Sequence, residues 1–382
     1  MKTSEDAHGR LAYVSGMGMV SALGLDVATS CAASRAGLSR ARPFEGYMVP
    51  PAKRGEDEGV TAHSLPLATE GFEGPVRLLQ LATLALRDLL QRHPWVREAT
   101  GVAAYLSLPD PARGKPAPST APVMEEGEPP PPAPVPPWEL AQWLWSTAAA
   151  SAGWGAPPTM RHLVSEGHTG VTRALQQACA DLASGVVDLA IVGGVDSLLD
   201  EETLAWLDAA GRLKKPDMPA GLQPGEAAAF LVLEREQSAF ARPTGPSLVL
   251  RGLAFGREQH LVGADDPPSG RGLAAPLHEL VEYVRFQHQL PLWCILDLNG
   301  EPYRSMDWGG ALVHIESVRK LRVLGETTYP AASFGDTGAA SGGVGLCLAA
   351  TAFQRSYAPG LLGAVVSASD SGDRSVLLCQ AA

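Results

Sequence analysis

Two short segments carry the polar residues best spaced for chemistry. Gly167-His168-Thr169-Gly170 and Gly335-Asp336-Thr337-Gly338 each open a stretch of small and apolar residues, and each follows an apolar run containing a serine, Ser165 or Ser333. A polar side chain at the start of a buried helix faces that helix's free backbone N–H groups. If the two segments are copies within a duplicated α/β unit, a pseudo-twofold axis brings their helix starts together and His168 faces Asp336. An aspartate orients an imidazole and raises its basicity. Ser165, Thr169 or Thr337 would then be a candidate nucleophile, or water would be activated for hydrolysis. The competing expectation is that these polar residues only fill a pocket and satisfy one another.

Other chemistry finds less support. Cys31, Cys179, Cys294, Cys347 and Cys379 are scattered without a CxxC pair, and settings such as Leu346-Cys347-Leu348 read as reduced core thiols in a cytoplasmic protein. Cys179 lies about three helical turns beyond His168, too far to stand in for it. The nine histidines form no HxxxH or His/Cys cluster of metal spacing. Gly16-Met17-Gly18 lacks the third glycine of a dinucleotide fingerprint. No metal and no cofactor is expected.

The positioning elements come from periodicity. The sequence predicts a strand over residues 11–20, a helix from Asp26, a core helix over 76–91 and a strand over 101–108. Residues 39–75 read as irregular. Helix 138–150, strand 160–165 and helix 169–184 follow, the last stopped by Gly185. The apolar run 186–195 reads as a buried parallel strand. A helix over 201–210, strands over 227–233 and 248–255, a helix over 278–289, a strand over 293–298 and a helix over 308–321 come next. A hairpin of 365–369 with 375–379 closes the chain across Asp370-Ser371-Gly372-Asp373. Alternating strands and helices predict an α/β protein with a mostly parallel sheet. Residues 109–137, with Pro129-Pro130-Pro131-Pro132, have too few large apolar groups to offset ordering entropy and read as an exposed excursion.

Five longer segments resemble the β-ketoacyl synthases of the thiolase superfamily. Val14 to Gly24 resembles their opening T-G-x-G-x-x-S-x-L-G pattern. Ala174 to Gly185 and Asp188 to Val195 are similar to the helix and strand after their nucleophile. Gly225 to Glu234 looks like their G-E-G-A-G-x-L-V-L-E strand, and Gly335 to Gly342 like their G-H-T-x-x-A-A-G. The resemblance implies a five-layered α-β-α-β-α fold from two duplicated halves, residues 1–246 and 247–382, usually dimeric. It also implies a cysteine and two histidines acting on acyl thioesters. The nucleophile position falls on His168, one histidine position on Asn299 and the other on Asp336. The glycine-rich C-terminal turn is replaced by one starting at Ser369.

The expectation is therefore a ketosynthase-like chain without condensing activity, serving as a scaffold, accessory or partner subunit. The alternatives are an acyltransferase or thioester hydrolase using His168 and Asp336, a binder of acyl ligands or carrier protein, and an accessory of a bacterial secretion effector system. Ser165, Thr169, Thr337 and Ser369 are the expected binding residues. The expected partners are a second copy or a ketosynthase-like subunit, and further an acyl-carrier or effector protein. A net charge of -11 argues against nucleic acid and would repel an acidic carrier protein except at a local basic patch. No apolar run is long enough for a membrane span. The polar start leads into no apolar signal-peptide region. Few lysines beside abundant Gly and Pro point to a GC-rich bacterial source.

Overall fold

The apolar runs of the sequence become strands buried on both faces. The computed structural model describes residues 11–50, 57–111, 113, 135–285, 291–319 and 324–382. Its strands are β1 (Ala12–Ser21), β2 (Arg42–Val49), β3 (Glu58–Ala62), β4 (Val102–Ser107), β5 (Thr159–Val164), β6 (Leu189–Ser197), β7 (Glu226–Glu234), β8 (Leu248–Arg257), β9 (Leu292–Leu296), β10 (Leu324–Thr328), β11 (Leu362–Ala368) and β12 (Asp373–Ala381). Its helices are α1 (Val27–Arg35), α2 (Pro66–Thr69), α3 (Gly74–Arg92), α4 (Pro137–Ser151), α5 (Gly170–Ala183), α6 (Glu201–Ala209), α7 (Glu236–Phe240), α8 (Arg271–Arg285), α9 (Pro302–Arg319), α10 (Ala331–Phe334) and α11 (Ser341–Gln354). Every residue of β1, β6 and β7 is buried. That is why these segments read as continuous apolar runs rather than alternating ones.

The described strands form a ten-stranded sheet in the order β10-β9-β11-β12-β8-β1-β7-β6-β4-β5, with β2 and β3 as a separate pair. The order repeats. Outward from the central β1–β8 contact, one side runs β1-β7-β6-β4-β5 and the other β8-β12-β11-β9-β10. Three cores separate the layers. Leu81, Leu89 and Trp145 of α3 and α4 pack on Ile191 and Phe230 of one half. Leu277 and Ile315 of α8 and α9 pack on Leu296 and Val366 of the other. Between the halves, Leu175 of α5 and Val344 and Leu346 of α11 fill the middle with Val192, Leu231, Ile295 and Val365. The result is the five-layered α-β-α-β-α arrangement of the thiolase-like fold.

Local signals explain most boundaries. Asp26 caps α1 by accepting from Thr29 N at 2.8 Å. Gly185 takes φ of +72° after α5, a value that favours glycine.

Several expectations are corrected. The sheet is mixed, not mostly parallel. β4–β5, β4–β6, β9–β10 and β9–β11 are parallel, while β1, β7, β8 and β12 pair antiparallel with all their neighbours. Burial on both faces erased the alternation that marks an antiparallel pair. Residues 39–75 are not irregular throughout, since they include the β2–β3 pair and α2. β2 is mostly exposed and offers no buried face to read. Helix α8 starts at Arg271 rather than 278, carrying Pro276 inside it. Helix α9 starts at Pro302 rather than 308, with proline in the first-turn position it tolerates. The proline-rich excursion lies largely outside the described residues, as do the expected end of helix 278–289 and residues 320 and 321 of the following helix.

Candidate functional site

His168 and Asp336 meet, as their helix starts suggested, but the two segments are not equivalent in three dimensions. Gly167 has φ of +59° and opens a 3-10 turn, Gly167–Thr169, that leads into α5. The turn with the same role before α11 is Gly338–Ala340, opened by Gly338 at φ +47°. His168 therefore lies inside its turn, whereas Asp336 lies two residues ahead of the corresponding one. The likeness between Gly-His-Thr-Gly and Gly-Asp-Thr-Gly is displaced by three residues from the structural match.

That displacement puts Asp336 on a clamped stretch of backbone. Its N–H donates to Gln223 O at 2.8 Å, and its carbonyl accepts from Gly225 N at 2.9 Å. Gly194 in β6 lets the turn pack close, because a Cβ there would stand 2.2 Å from Ala339 O. At Gly338 a Cβ would stand 2.0 Å from Asp196 Oδ2. Asp196 in turn accepts from Ala339 N at 2.7 Å and from Arg113 Nη1 at 2.8 Å.

The Asp336 carboxylate is fully engaged. Oδ1 accepts from His168 Nε2 at 2.7 Å and from Gly338 N at 2.9 Å. Oδ2 accepts from Asn299 Nδ2 at 2.6 Å. Asn299 also donates to Glu301 Oε2 at 2.8 Å. The three residues singled out by the resemblance thus form one chain of contacts.

A ring of charge absent from the sequence reading surrounds them. Arg304 Nη2 lies 3.2 Å from His168 Nδ1 and 3.4 Å from Nε2, so the guanidinium sits against the ring between its nitrogens. Arg304 Nη1 donates to Asp297 Oδ2 at 3.0 Å and to Ala368 O at 2.6 Å. Arg212 donates from Nε to Glu301 Oε1 at 2.6 Å and from Nη1 to Asp370 Oδ2 at 2.8 Å. Three carboxylates and two guanidinium groups pair with one another beside the imidazole. Glu301 and Arg304 stand three apart at the start of α9, a spacing the sequence carried but whose partners lie far along the chain.

The electrostatics follow from this packing. Burial alone would raise the Asp336 pKa. The His168 and Arg304 charges and the hydrogen bonds outweigh it and hold the carboxyl well below its usual range. Burial, then the Arg304 cation, press the His168 pKa down, but Asp336 outweighs both and raises it above the ordinary imidazole value. Burial also acts on Asp370, whose pKa is nonetheless lowered by Arg212 and Arg304.

The hydroxyls are committed elsewhere. Thr169 N donates to Ser369 Oγ at 3.0 Å, and the Thr169 hydroxyl shares a 3.0 Å bond with the same oxygen. Ser369 Oγ also donates to Glu166 O. The Thr337 hydroxyl pairs with Ser341 Oγ at 3.1 Å. Ser165 is half-buried and lines the same cavity as His168, but among the described residues it makes no hydrogen bond to the imidazole. That cavity holds about 270 Å³. It is bordered by Asp110, Glu166, Asp196 and Asp370 together with Arg113 and Arg212, and closed by an apolar wall that includes Trp206. On the opposite side of His168, against Ile295, Asn299 and Val365, there is a void of only about 20 Å³. A space of that size holds about one water. Among the described residues no group of three or more His, Cys, Asp or Glu is arranged to hold a metal ion. None of the described helices is long and apolar enough to cross a membrane.

Comparison with known proteins agrees with this architecture. Residues 164–239, from the end of β5 into α7, match the family model described as Beta-ketoacyl synthase, N-terminal domain. No curated protein sequence matches the chain. Among solved structures, the ketosynthase from module 6 of the bacillaene synthase of Bacillus subtilis 168 superposes with a TM-score of 0.71 at 14% identity, over 97% of this chain and 72% of that one. The ishigamide ketosynthase/chain length factor gives 0.71 at 17% identity, over 97% and 99%. A type II polyketide synthase acyl-carrier protein in complex with its hexaketide-bound ketosynthase gives 0.71 at 16% identity, over 98% and 100%. The chain is β-ketoacyl synthase-like, with the thiolase-like fold.

Proposed function

We propose that this chain performs no ketosynthase condensation and acts as a scaffold, accessory or partner subunit, in which the former catalytic positions are His168, Asn299 and Asp336. The observation that carries this reading is the absence of a reactive thiol. All five cysteines are buried. Burial pushes the Cys31 thiol up to about 11 and those of Cys179, Cys294 and Cys379 to about 12. Condensation needs a thiolate with a lowered pKa at a helix start, and His168 occupies that place.

Altered chemistry at the same site fits poorly. A general-base histidine needs one nitrogen held by the carboxylate and the other open toward a hydroxyl or water. Here Nε2 is taken by Asp336 and Nδ1 meets an N–H of Arg304. The small void behind His168 also leaves no room on that side for an acyl chain. Ligand binding without turnover keeps one supporting observation, the cavity of about 270 Å³.

A partner role has precedent in proteins similar to this chain, whose descriptions pair a ketosynthase with a chain length factor and with an acyl-carrier protein. β5 and β10 end the described sheet, and edge strands favour pairing or cover. We therefore infer a dimer of two copies or with a ketosynthase-like subunit, in the cytoplasm, built from halves that meet near residues 246 and 247. A role beside an acyl-carrier or effector protein belongs to the same reading.

Two measurements test it. Affinity purification of the full chain, with mass-spectrometric identification of partners, should recover a ketosynthase-like subunit or a defined assembly. Incubation with acyl-CoA and acyl-carrier protein should produce no acyl adduct by intact mass and no thiol release. Turnover that disappears in His168→Ala would overturn the proposal.

A further inference from the structure

Far from His168, the last turns of three helices meet around a cleft of about 450 Å³. Arg35 comes from the last turn of α1, Arg92 from the last turn of α3, and Arg355 caps the end of α11. All three are exposed and line the cleft, together with Gln354 and Tyr357. The Arg35 guanidinium stacks 3.9 Å from the centre of the Tyr357 ring. Val27 and Ala32 supply an apolar wall. No aspartate or glutamate is among the described residues lining it; the buried Asp88, one turn before Arg92 in α3, is within electrostatic reach of Arg92 but spends its carboxylate on Met19 N and Val27 N.

This is unusual in a chain of net charge -11. Around His168 every arginine is matched by carboxylates. A helix C-terminus favours one nearby cation, which explains each arginine singly. It does not explain three converging on a shared concavity, where like charges repel unless an anion joins them.

We propose that this cleft binds a small molecule bearing a phosphate or diphosphate on an apolar or aromatic body. Guanidinium forks match phosphate oxygens in pairs. The volume lies within the range of small-molecule sites. The apolar wall and the Arg35–Tyr357 stack receive the body; a second hollow of about 390 Å³, whose lining includes Glu326, shares Arg35 and Tyr357 with this cleft. The site is independent of any role for His168.

Isothermal titration of the full chain tests the proposal, with pyrophosphate and adenosine diphosphate as probes and adenosine as the uncharged control. Both diphosphates should bind, more weakly as salt rises, and adenosine alone should not. Arg92→Gln and Arg355→Gln should each weaken adenosine diphosphate binding about tenfold, while Arg40→Gln, outside the cleft, leaves it unchanged. All these positions are exposed, so the variants should fold, as thermal unfolding will verify. Absence of binding by either diphosphate overturns the proposal, as does binding that survives the Arg92→Gln, Arg355→Gln double variant. Capture of an acidic protein without diphosphate binding overturns it as well.

Discussion

Helix α11 has its first turn beside one cavity and its last beside another, and the two are built on opposite electrostatic terms. At the first turn, Asp336, Asp297, Glu301 and Asp370 close on Arg304 and Arg212, and every charged group has a partner. At the last turn, Arg355 joins Arg35 and Arg92 with no carboxylate among the lining residues. Buried charges must be compensated within the fold, because desolvation costs several kcal/mol per ion. Exposed charges can wait for a ligand. A buried polar cluster is thus a poor guide to function when its members satisfy one another. An uncompensated cluster at the surface is a better one.

The largest expected effect breaks the compensated end. Arg304→Met should destabilise the protein by about 3–5 kcal/mol, because the carboxylates around it stay buried without their cation. Urea denaturation measures this, and a loss below about 1 kcal/mol would show that water or rearrangement replaces the guanidinium. Next is Gly338→Ala, expected to cost about 1–3 kcal/mol from its positive φ and from the approach of Asp196. The same substitution at the exposed Gly37, also at positive φ but with no neighbour in the way, should cost less.

A smaller effect is expected from pH. Asp336 is depressed below its ordinary value of 3.8, so its contribution is present above that value and is lost as pH falls through the folded one. His168 is raised above 6.5, so its contribution is complete below 6.5 and is lost as pH rises through the folded value. The pair therefore stabilises most between 3.8 and 6.5. His168→Gln should flatten the decline on the alkaline side, and denaturation midpoints across pH will show whether it does. At the uncompensated end, Arg355→Gln should change stability by less than about 0.5 kcal/mol while weakening diphosphate binding. Equal stability losses at the two ends would erase the contrast.

Much of the fold was legible because its core strands and helices are apolar enough to declare themselves. Val76 to Gln91 falls within α3, and Thr169 to Ser184 runs from the end of the turn through α5 to its C-cap, since their apolar residues recur at helical spacing. The β2–β3 pair was invisible because β2 is largely exposed and β3 is only five residues long. The start of α8 was hidden by Pro276, which imitates a boundary. At the site, the meeting of His168 with Asp336 was expected on the assumption of a duplication, though the two segments are offset by three residues, and Asn299 came from resemblance alone. Arg304, Arg212 and Asp370 were missed, because charged residues on exposed and buried surfaces look alike in a sequence.

The sequence by itself determined which segments must be buried, and therefore an α/β fold, because apolar periodicity leaves a chain few ways to hide its surface. It also determined that no cysteine follows closely on either helix start. Only the tertiary structure decided that the strands run mixed rather than parallel, that the two look-alike segments are offset by three residues, and which arginines are compensated. Strand direction, register and charge pairing depend on partners far along the chain, such as Ala12 with Leu250 in the β1–β8 pair or His168 with Asp336, and no local pattern records them.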